Sequence, residues 1–358
     1  MITIRHQLSV NKPTIRLILF PFFTFLTFVV LCISGYFSAT LAEENSASSK
    51  IVAITQIVEH PSLDQVRQSF INSLKDAGFE EGKNLTVLYE TAQGSVTTAV
   101  QIAKKFASLA PDVVLGISTP SAQALLPSLK EASIPLVFAA VSDPVGAKLV
   151  KALDQPNALV TGATDAQPVE KQFEMMLDIL PQLKTVGVVY NPGEINSVKI
   201  LEHLRAFMAK KNIRVIANGA SKSSEVSSAL SQLLDQVDGV YVTLDNVVVS
   251  ALQAVLKLTM AHKVPVFSTD PDLVKQGVLA SIGNGYADVG ALAGQMAVRI
   301  LNGESPQQIA IAAPLENKLY VNLDVAARLS LSIPTSVLSK ADFLVNQGEL
   351  KSVKDAKK

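Results

Sequence analysis

Val113-Val114-Leu115-Gly116-Ile117-Ser118-Thr119-Pro120-Ser121-Ala122 is the stretch that decides the fold. Five residues run without in-out alternation, which a strand tolerates only when both of its faces are covered. Two hydroxyls and a proline follow at once and open a helical period over Ala122 to Ala132, so the unit is strand, tight turn, helix. The unit recurs on either side. Upstream lie Ile51 to Ile57 with a helix near Leu63 to Ala77, then Leu85 to Tyr89 with Val96 to Leu109; downstream comes Leu136 to Ala140. Pro61, Pro120 and Pro135 stand at element boundaries, where a missing N–H costs nothing, and Gly78 with Gly82 closes the first helix.

The alternation then starts again: a helix near Val169 to Leu180, strand Thr185 to Tyr190, helix Ser197 to Lys211, strand Arg214 to Ala217, helix Ser224 to Leu234, strand Gly239 to Thr243, helix Val248 to His262 and strand Pro265 to Ser268. Two such sets predict an α/β protein of two doubly wound, parallel-sheet lobes, with the segment from Asn157 to Gln167 as a crossover between them. What remains is too short for a third domain: Ala280 to Gly283, a small-residue helix over Asp288 to Leu301, a turn at Asn302-Gly303, and an extended Leu319 to Asn322. It reads as the chain crossing back, giving a helix to the first lobe and a strand to the second. The expected lobes are 51–164 plus 283–311 and 165–282 plus 312–336, with a ligand cleft between them and a frayed polar tail over 340–358.

Composition narrows the function. The chain has 358 residues, 31 Lys and Arg against 31 Asp and Glu, one cysteine and no tryptophan. A neutral, apolar chain is neither disordered nor built for nucleic acid, and one thiol permits no disulfide framework. The charge is unevenly placed. Residues 1–42 hold Arg5, Lys12 and Arg16 and no acid; a Phe-rich apolar run from Leu17 to Ile33 leads to Thr40-Leu41-Ala42. This predicts a secretory signal peptide cut before Glu43, with an uncleaved membrane anchor as the alternative. Cleavage would leave 28 basic against 31 acidic residues, a net charge of −3, and would remove Cys32. Val30-Leu31 ahead of Cys32 is a poor lipid-attachment site.

Catalytic signatures are lacking: there is no Gly-x-Ser-x-Gly, no His-Glu-x-x-His and no phosphate loop, so no catalytic residue, metal site or cofactor is expected. A hydrolase on a two-lobed scaffold is disfavoured because no nucleophile-base pair is visible. His203 and His262 read as structural, whereas His60 follows the first strand, at the sheet edge where ligands bind, and reads equally as ligand contact or loop cap. Ser118, Thr119 and Ser121 at a helix N-terminus suit an anion, or are an ordinary cap. Ser142-Asp143 ends the next strand as an acceptor or a turn. In the second lobe Asn191, Glu194, Asn196 and Ser197 end one strand and Asp245-Asn246 another. Asp245 could cap the helix that follows, or receive a ligand amine, in which case its removal would weaken binding and leave the fold intact. A hydroxyl cradle facing acids predicts a zwitterion, and among zwitterions an amino acid.

Ile54-Thr55-Gln56-Ile57-Val58-Glu59-His60-Pro61, Ala92-Gln93-Gly94, Ser118 to Ala124, Ala140-Val141-Ser142-Asp143-Pro144-Val145, Tyr190-Asn191 with Glu194-Asn196-Ser197, and Leu244-Asp245-Asn246 together resemble the solute-binding proteins of ABC importers related to the tryptophan/tyrosine-binding type. The resemblance spans about residues 50 to 335. It implies a type I periplasmic-binding-protein-like fold that closes by a hinge on a small molecule and then docks on a membrane permease with its ATPase. It further implies a periplasmic monomer, without nucleic-acid partner or cofactor. Carried over by position, the ligand contacts are Gln56, His60, Ser118, Thr119, Ser121, Ser142, Asp143, Asn191, Glu194, Asn196, Ser197, Asp245 and Asn246. Only Phe138, Tyr190 and Tyr241 lie near the strand ends, so a branched-chain or other small amino acid is as open a ligand as an aromatic one. The alternative of another class is an exported ligand-sensing receptor or co-receptor for a membrane signalling protein.

Overall fold

The computed structural model describes residues 49–154 and 158–353; the expected leader with Cys32, and residues 354–358, lie outside the described residues. The first sheet is wholly parallel. Strands β1 (Lys50–Gln56), β2 (Leu85–Thr91), β3 (Val113–Ile117), β4 (Leu136–Ala139) and β5 (Val160–Ala163) stand in the order β2-β1-β3-β4-β5. Helices α1 (Pro61–Asp76), α2 (Val96–Leu109) and α3 (Thr119–Ala132) connect the first four strands. Every residue of β3 and β4 is buried, as apolar runs without alternation require. The winding reverses between β1 and β3, which opens a crevice at their carboxyl ends.

β5 lies inside the stretch expected as a crossover. Val160-Thr161-Gly162-Ala163 carries little hydrophobic signal because the site takes only small residues: a Cβ at Gly162 would collide with the carbonyl and ring of Phe138. The Thr161 hydroxyl is used as a donor, 2.8 Å from the carbonyl of Ile309.

The second sheet is larger and mixed. It is fed by α4 (Val169–Ile179), β6 (Thr185–Tyr190), α5 (Ile195–Ala209), β7 (Arg214–Gly219), α6 (Ser223–Ser231), β8 (Gly239–Val242), α7 (Asn246–Ser250), α8 (Leu252–Ala261), β9 (Val266–Ser268) and β10 (Ala280–Gly283). The chain then makes α9 (Tyr286–Leu301), β11 (Lys318–Asn322), α10 (Leu323–Leu329), α11 (Thr335–Leu338), β12 (Phe343–Asn346) and β13 (Glu349–Ser352). The order is β13-β12-β11-β10-β9-β8-β6-β7, parallel from β7 to β10, with β11 antiparallel to β10. Its own winding reverses between β6 and β8. The helix expected over Val248 to His262 is two, α7 and α8, separated at Ala251.

The chain passes between the sheets at residues 164–168, 284–285 and 313–317. The return of α9 is fixed by contact: it lies on α1 so closely that a Cβ at Gly290 would strike the Val66 carbonyl, and one at Gly294 would strike Ser73. Ser73 also donates to the Ala291 carbonyl at 3.2 Å. Small residues on this face of α9 are the cost of that approach.

Within the segment expected as a frayed tail, residues 343–352 form a hairpin. β12 adds in parallel to β11 and β13 folds back antiparallel, so residues 343–352 extend the sheet. Gln347 and Gly348 turn at φ 54° and 75°, and Asp324 accepts both of their backbone N–H groups at 2.8 Å. Phe343 stacks on Tyr320 with ring centroids 4.6 Å apart, and Val345 is buried. The polar average of the tail concealed three consecutive apolar residues, Phe343-Leu344-Val345.

Candidate functional site

Both reversal points present their strand ends to one cavity between the sheets. It is lined by His60 and Leu63 after β1, Ser118 after β3, Ala140 and Ser142 after β4, and Asp165 after β5. From the second sheet come Asn196 at α5, Leu244, Asp245, Asn246 and Val249 after β8, and Asp270 after β9, with Tyr286 from α9 closing the wall. Its volume is about 10 Å3, room for one water-sized sphere.

The lining is polar and under-satisfied. Ser118 Oγ, His60 Nδ1, Asp165 Oδ1 and Asn196 Oδ1 are buried and have no hydrogen-bond partner. A buried orphan of this kind costs about 1–3 kcal/mol, so four on one small cavity mark a place built to be satisfied by something else. Ser118 is also strained. Its φ of 80° and ψ of 157° fall in a region that glycine alone adopts readily, and it enters α3 without capping the helix with its side chain. Ala140, next along the edge, has φ 54°.

Electrostatically the cavity is acidic. Burial lowers the His60 pKa to about 4, against the pull of Asn246 and Asp64, so its ring is neutral at pH 7. Burial raises Asp165 to about 6, and the nearby hydroxyls of Ser142 and Tyr286 draw it partly back. Tyr286 Oη donates to Asp165 Oδ2 at 3.1 Å. Asp270 is held well above the carboxylate range by burial and then by the charge of Asp272; its Oδ2 accepts from Ser62 Oγ at 2.5 Å, a bond from the second sheet to α1 of the first. Among the described residues no group of three or more His, Cys, Asp or Glu is arranged to hold a metal ion.

Of the residues nominated from sequence, His60, Ser118, Ser142, Asn196, Asp245 and Asn246 line this cavity, and the other seven do not. Gln56 is buried beside it and donates to Val58 O and to Asp64. Thr119 and Ser121 are buried in the first turn of α3. Asp143 is exposed and turns the loop by accepting from Gly146 N at 2.8 Å. Ser197 Oγ pairs with Thr243 Oγ1 at 2.7 Å. Glu194 and Asn191 belong to the scaffold of α7: Glu194 accepts from the backbone and side-chain nitrogens of Asn246 at 3.0 and 2.5 Å, and Asn191 donates its N–H to Asp245. Burial, and then the Asp245 charge, raise Glu194 to about 7.

Asp245 is a special case. It lines the cavity, yet Oδ1 accepts from Val248 N at 3.0 Å and Oδ2 from Asn191 N at 2.5 Å, so it caps α7 and ties β6 to β8. Sequence reasoning missed Asp165, Asp270 and Tyr286. The signal for Asp270 was available, since Ser268-Thr269-Asp270 ends a strand as Thr243-Leu244-Asp245 does. For Asp165 it was absent, because β5 itself was unrecognised.

A family model described as ABC transporter substrate binding protein matches residues 51–345. The chain is 37% identical over 287 residues to a protein of Clostridioides difficile (strain R20291) named tyrosine-binding protein, covering 80% of this chain and 83% of that one. It is similar to the solved ABC domain in complex with L-Trp from Streptococcus pneumoniae, with 29% identity, a TM-score of 0.78, and coverage of 84% of this chain and all of that one. It is also similar to the ligand-free, open structure of a substrate binding protein with adhesive properties from Clostridium difficile. There the identity is 37%, the TM-score 0.60, and the coverage 83% of this chain and 99% of that one.

Proposed function

Since the chain belongs to the ABC transporter substrate binding protein family, we propose that it is the extracytoplasmic solute-binding component of an ABC importer and carries a free amino acid between its lobes. The family and these relatives are solute-binding proteins, not enzymes. The observation that carries the reading is the convergence of four unpaired buried polar atoms, from both lobes, on one cavity. Ser118 and the first-turn N–H groups of α3 suit a carboxylate; the acidic wall suits an amine. The relatives' ligands, tyrosine by name and L-Trp in a complex, are amino acids.

The cavity also bears on the mechanism. With room for about one water-sized sphere, the cavity must widen to take an amino acid, and parting of the lobes is the motion that widens it. The three crossings at 164–168, 284–285 and 313–317 are the short segments about which such a hinge turns. Ligand that touches both lobes stabilises the closed form by those differential contacts, and the closed form is what a permease then meets. The apolar leader 1–42 supports export. Among the described residues no helix is long and apolar enough to cross a membrane.

Calorimetry and thermal-shift screening of the domain from Glu43 against L-tryptophan, L-tyrosine, branched-chain amino acids and sugars test the reading. An amino acid should bind and raise the melting temperature, with a smaller radius of gyration by scattering when it is bound. Binding confined to sugars would sink it.

A further inference from the structure

The cavity wall carries three carboxylates, Asp165, Asp245 and Asp270, and no lysine or arginine. They differ in what already satisfies them. Asp245 accepts two backbone N–H groups, and Asp270 accepts the Ser62 hydroxyl and the N–H of Asp272 at 2.8 Å. Asp165 accepts the Tyr286 hydroxyl on Oδ2, with the Ser142 hydroxyl nearby; Oδ1 has no hydrogen-bond partner, and the residue is 1% exposed. On the facing lobe Asn196 gives its amide nitrogen to the Leu244 carbonyl, which leaves Oδ1, an acceptor, equally unpaired on the same cavity. Two orphan acceptors from opposite lobes, one of them anionic, with no cation beside them, call for a donor that is charged and has several N–H bonds. An ammonium group has three. A hydroxyl could satisfy one acceptor but would leave a carboxylate buried without a counter-charge.

We propose that Asp165, positioned by Tyr286, is the specificity residue for the ligand's primary ammonium group, and that Asn196 completes the contact from the second lobe. This rests on the amino-acid reading above. Because Asp165 lies at the start of the crossing 164–168, the amine is bound where the lobes join, so its capture and closure are one event.

The test is a calorimetric cycle with L-tyrosine and 3-(4-hydroxyphenyl)propionate, and with L-tryptophan and indole-3-propionate, each pair differing only in the amine. The natural chain should prefer the amino acid by about 100-fold, the scale of a buried charge-assisted pair. Asp165→Asn should abolish that preference while leaving the weak affinity for the amine-free acid nearly unchanged. Tyr286→Phe should reduce the preference several-fold, a ratio that a general loss of fold would not move. If Asp165→Asn folds and keeps the preference, the amine is bound elsewhere and the assignment is overturned while the amino-acid reading stands. Should Asp165→Asn fail to fold, an unaltered preference in Tyr286→Phe and in Asn196→Ala would overturn it equally. A chain that binds only amine-free ligands such as hexoses overturns both.

Discussion

Ser118→Gly separates what the site costs from what it does. Ser118 holds φ 80° and ψ 157°, a conformation whose strain in a residue with a Cβ is about 1–3 kcal/mol. Its buried Oγ has no partner, so deleting the hydroxyl forfeits no bond and removes an orphan worth about 1–3 kcal/mol. Against these stands the greater freedom of glycine in the unfolded chain, about 0.4–1 kcal/mol. The net expectation is a ligand-free protein more stable by roughly 1–5 kcal/mol, with the melting temperature higher by about 2–4 °C per kcal/mol. Ser118→Ala removes the same hydroxyl but keeps the Cβ, so the gap between the two variants is the strain less the unfolded-state freedom of glycine, and adding back about 0.4–1 kcal/mol gives the strain. Urea denaturation at pH 7 gives the stabilities. Both variants should bind an amino acid more weakly, by about 10-fold or more if Oγ donates to a carboxylate. A glycine variant less stable than the alanine variant by about 0.4 kcal/mol or more would refute the strain argument, and unchanged affinity in both would remove Ser118 from the ligand.

Three further outcomes are expected. Asp245→Ala loses the cap of α7 and strands the Asn191 N–H, so it should lower stability by about 2–4 kcal/mol, read by urea denaturation, and not spare the fold. Gly290→Val forces α9 off α1 through the Val66 carbonyl and should lower the melting temperature by an amount equivalent to about 3 kcal/mol or more. Asp165 titrates near 6 in the folded chain against 3.8 ordinarily, so the folded state holds its proton longer than the unfolded one. Its contribution to stability is therefore lost as pH rises from about 4 to 6; Asp165→Asn should match the natural chain near pH 4 and exceed it at pH 7.5 by something on the order of 3 kcal/mol, shown by melting curves across that range. Of the other groups on the cavity, Asp270 and Tyr286 are raised in part by the Asp165 charge and shift back towards their ordinary values in Asp165→Asn, whereas His60 and Asp245, with Asp272 and Glu194 behind them, draw none of their shifts directly from it.

Some of this was legible in the chain because it is local. Unalternating runs such as Val113 to Ile117 announce strands buried on both faces, and the polar residues just after them announce the sheet edge where a crevice forms. On that ground alone His60, Ser118, Ser142, Asn196, Asp245 and Asn246 were nominated, and all six reach the cavity. Of the seven others, Gln56 and Ser197 are engaged by Asp64 and Thr243, Thr119 and Ser121 are buried in the first turn of α3, and Asp143, Asn191 and Glu194 line neighbouring clefts. Sequence position places a residue at an edge without fixing which way its side chain turns.

Glu194 and Asp245 show the limit most clearly. Both are acids at strand ends, and both carboxylates are taken up by backbone N–H groups: Glu194 by those of Asn246 and Val247 in α7, more than 50 positions on, and Asp245 by that of Val248 close by in α7 and that of Asn191 after β6, 54 positions back. Whether such an acid faces a ligand depends on which N–H groups the fold brings to it. Asp165 is the converse: it follows a strand made of small residues that only the bulk of Phe138 explains, and its free oxygen is apparent only once Tyr286, 121 positions later, is seen to hold the other.

The sequence by itself determined two doubly wound sheets, the edges at which a ligand could bind, and an apolar basic leader, because strand burial, turn chemistry and helix period are written in neighbouring residues. Only the tertiary structure decided that the chain returns through α9 to α1, that residues 343–352 close the second sheet, and which acid on the cavity is left unpaired. Those depend on contacts between residues far apart in the chain, where no local pattern records the partner.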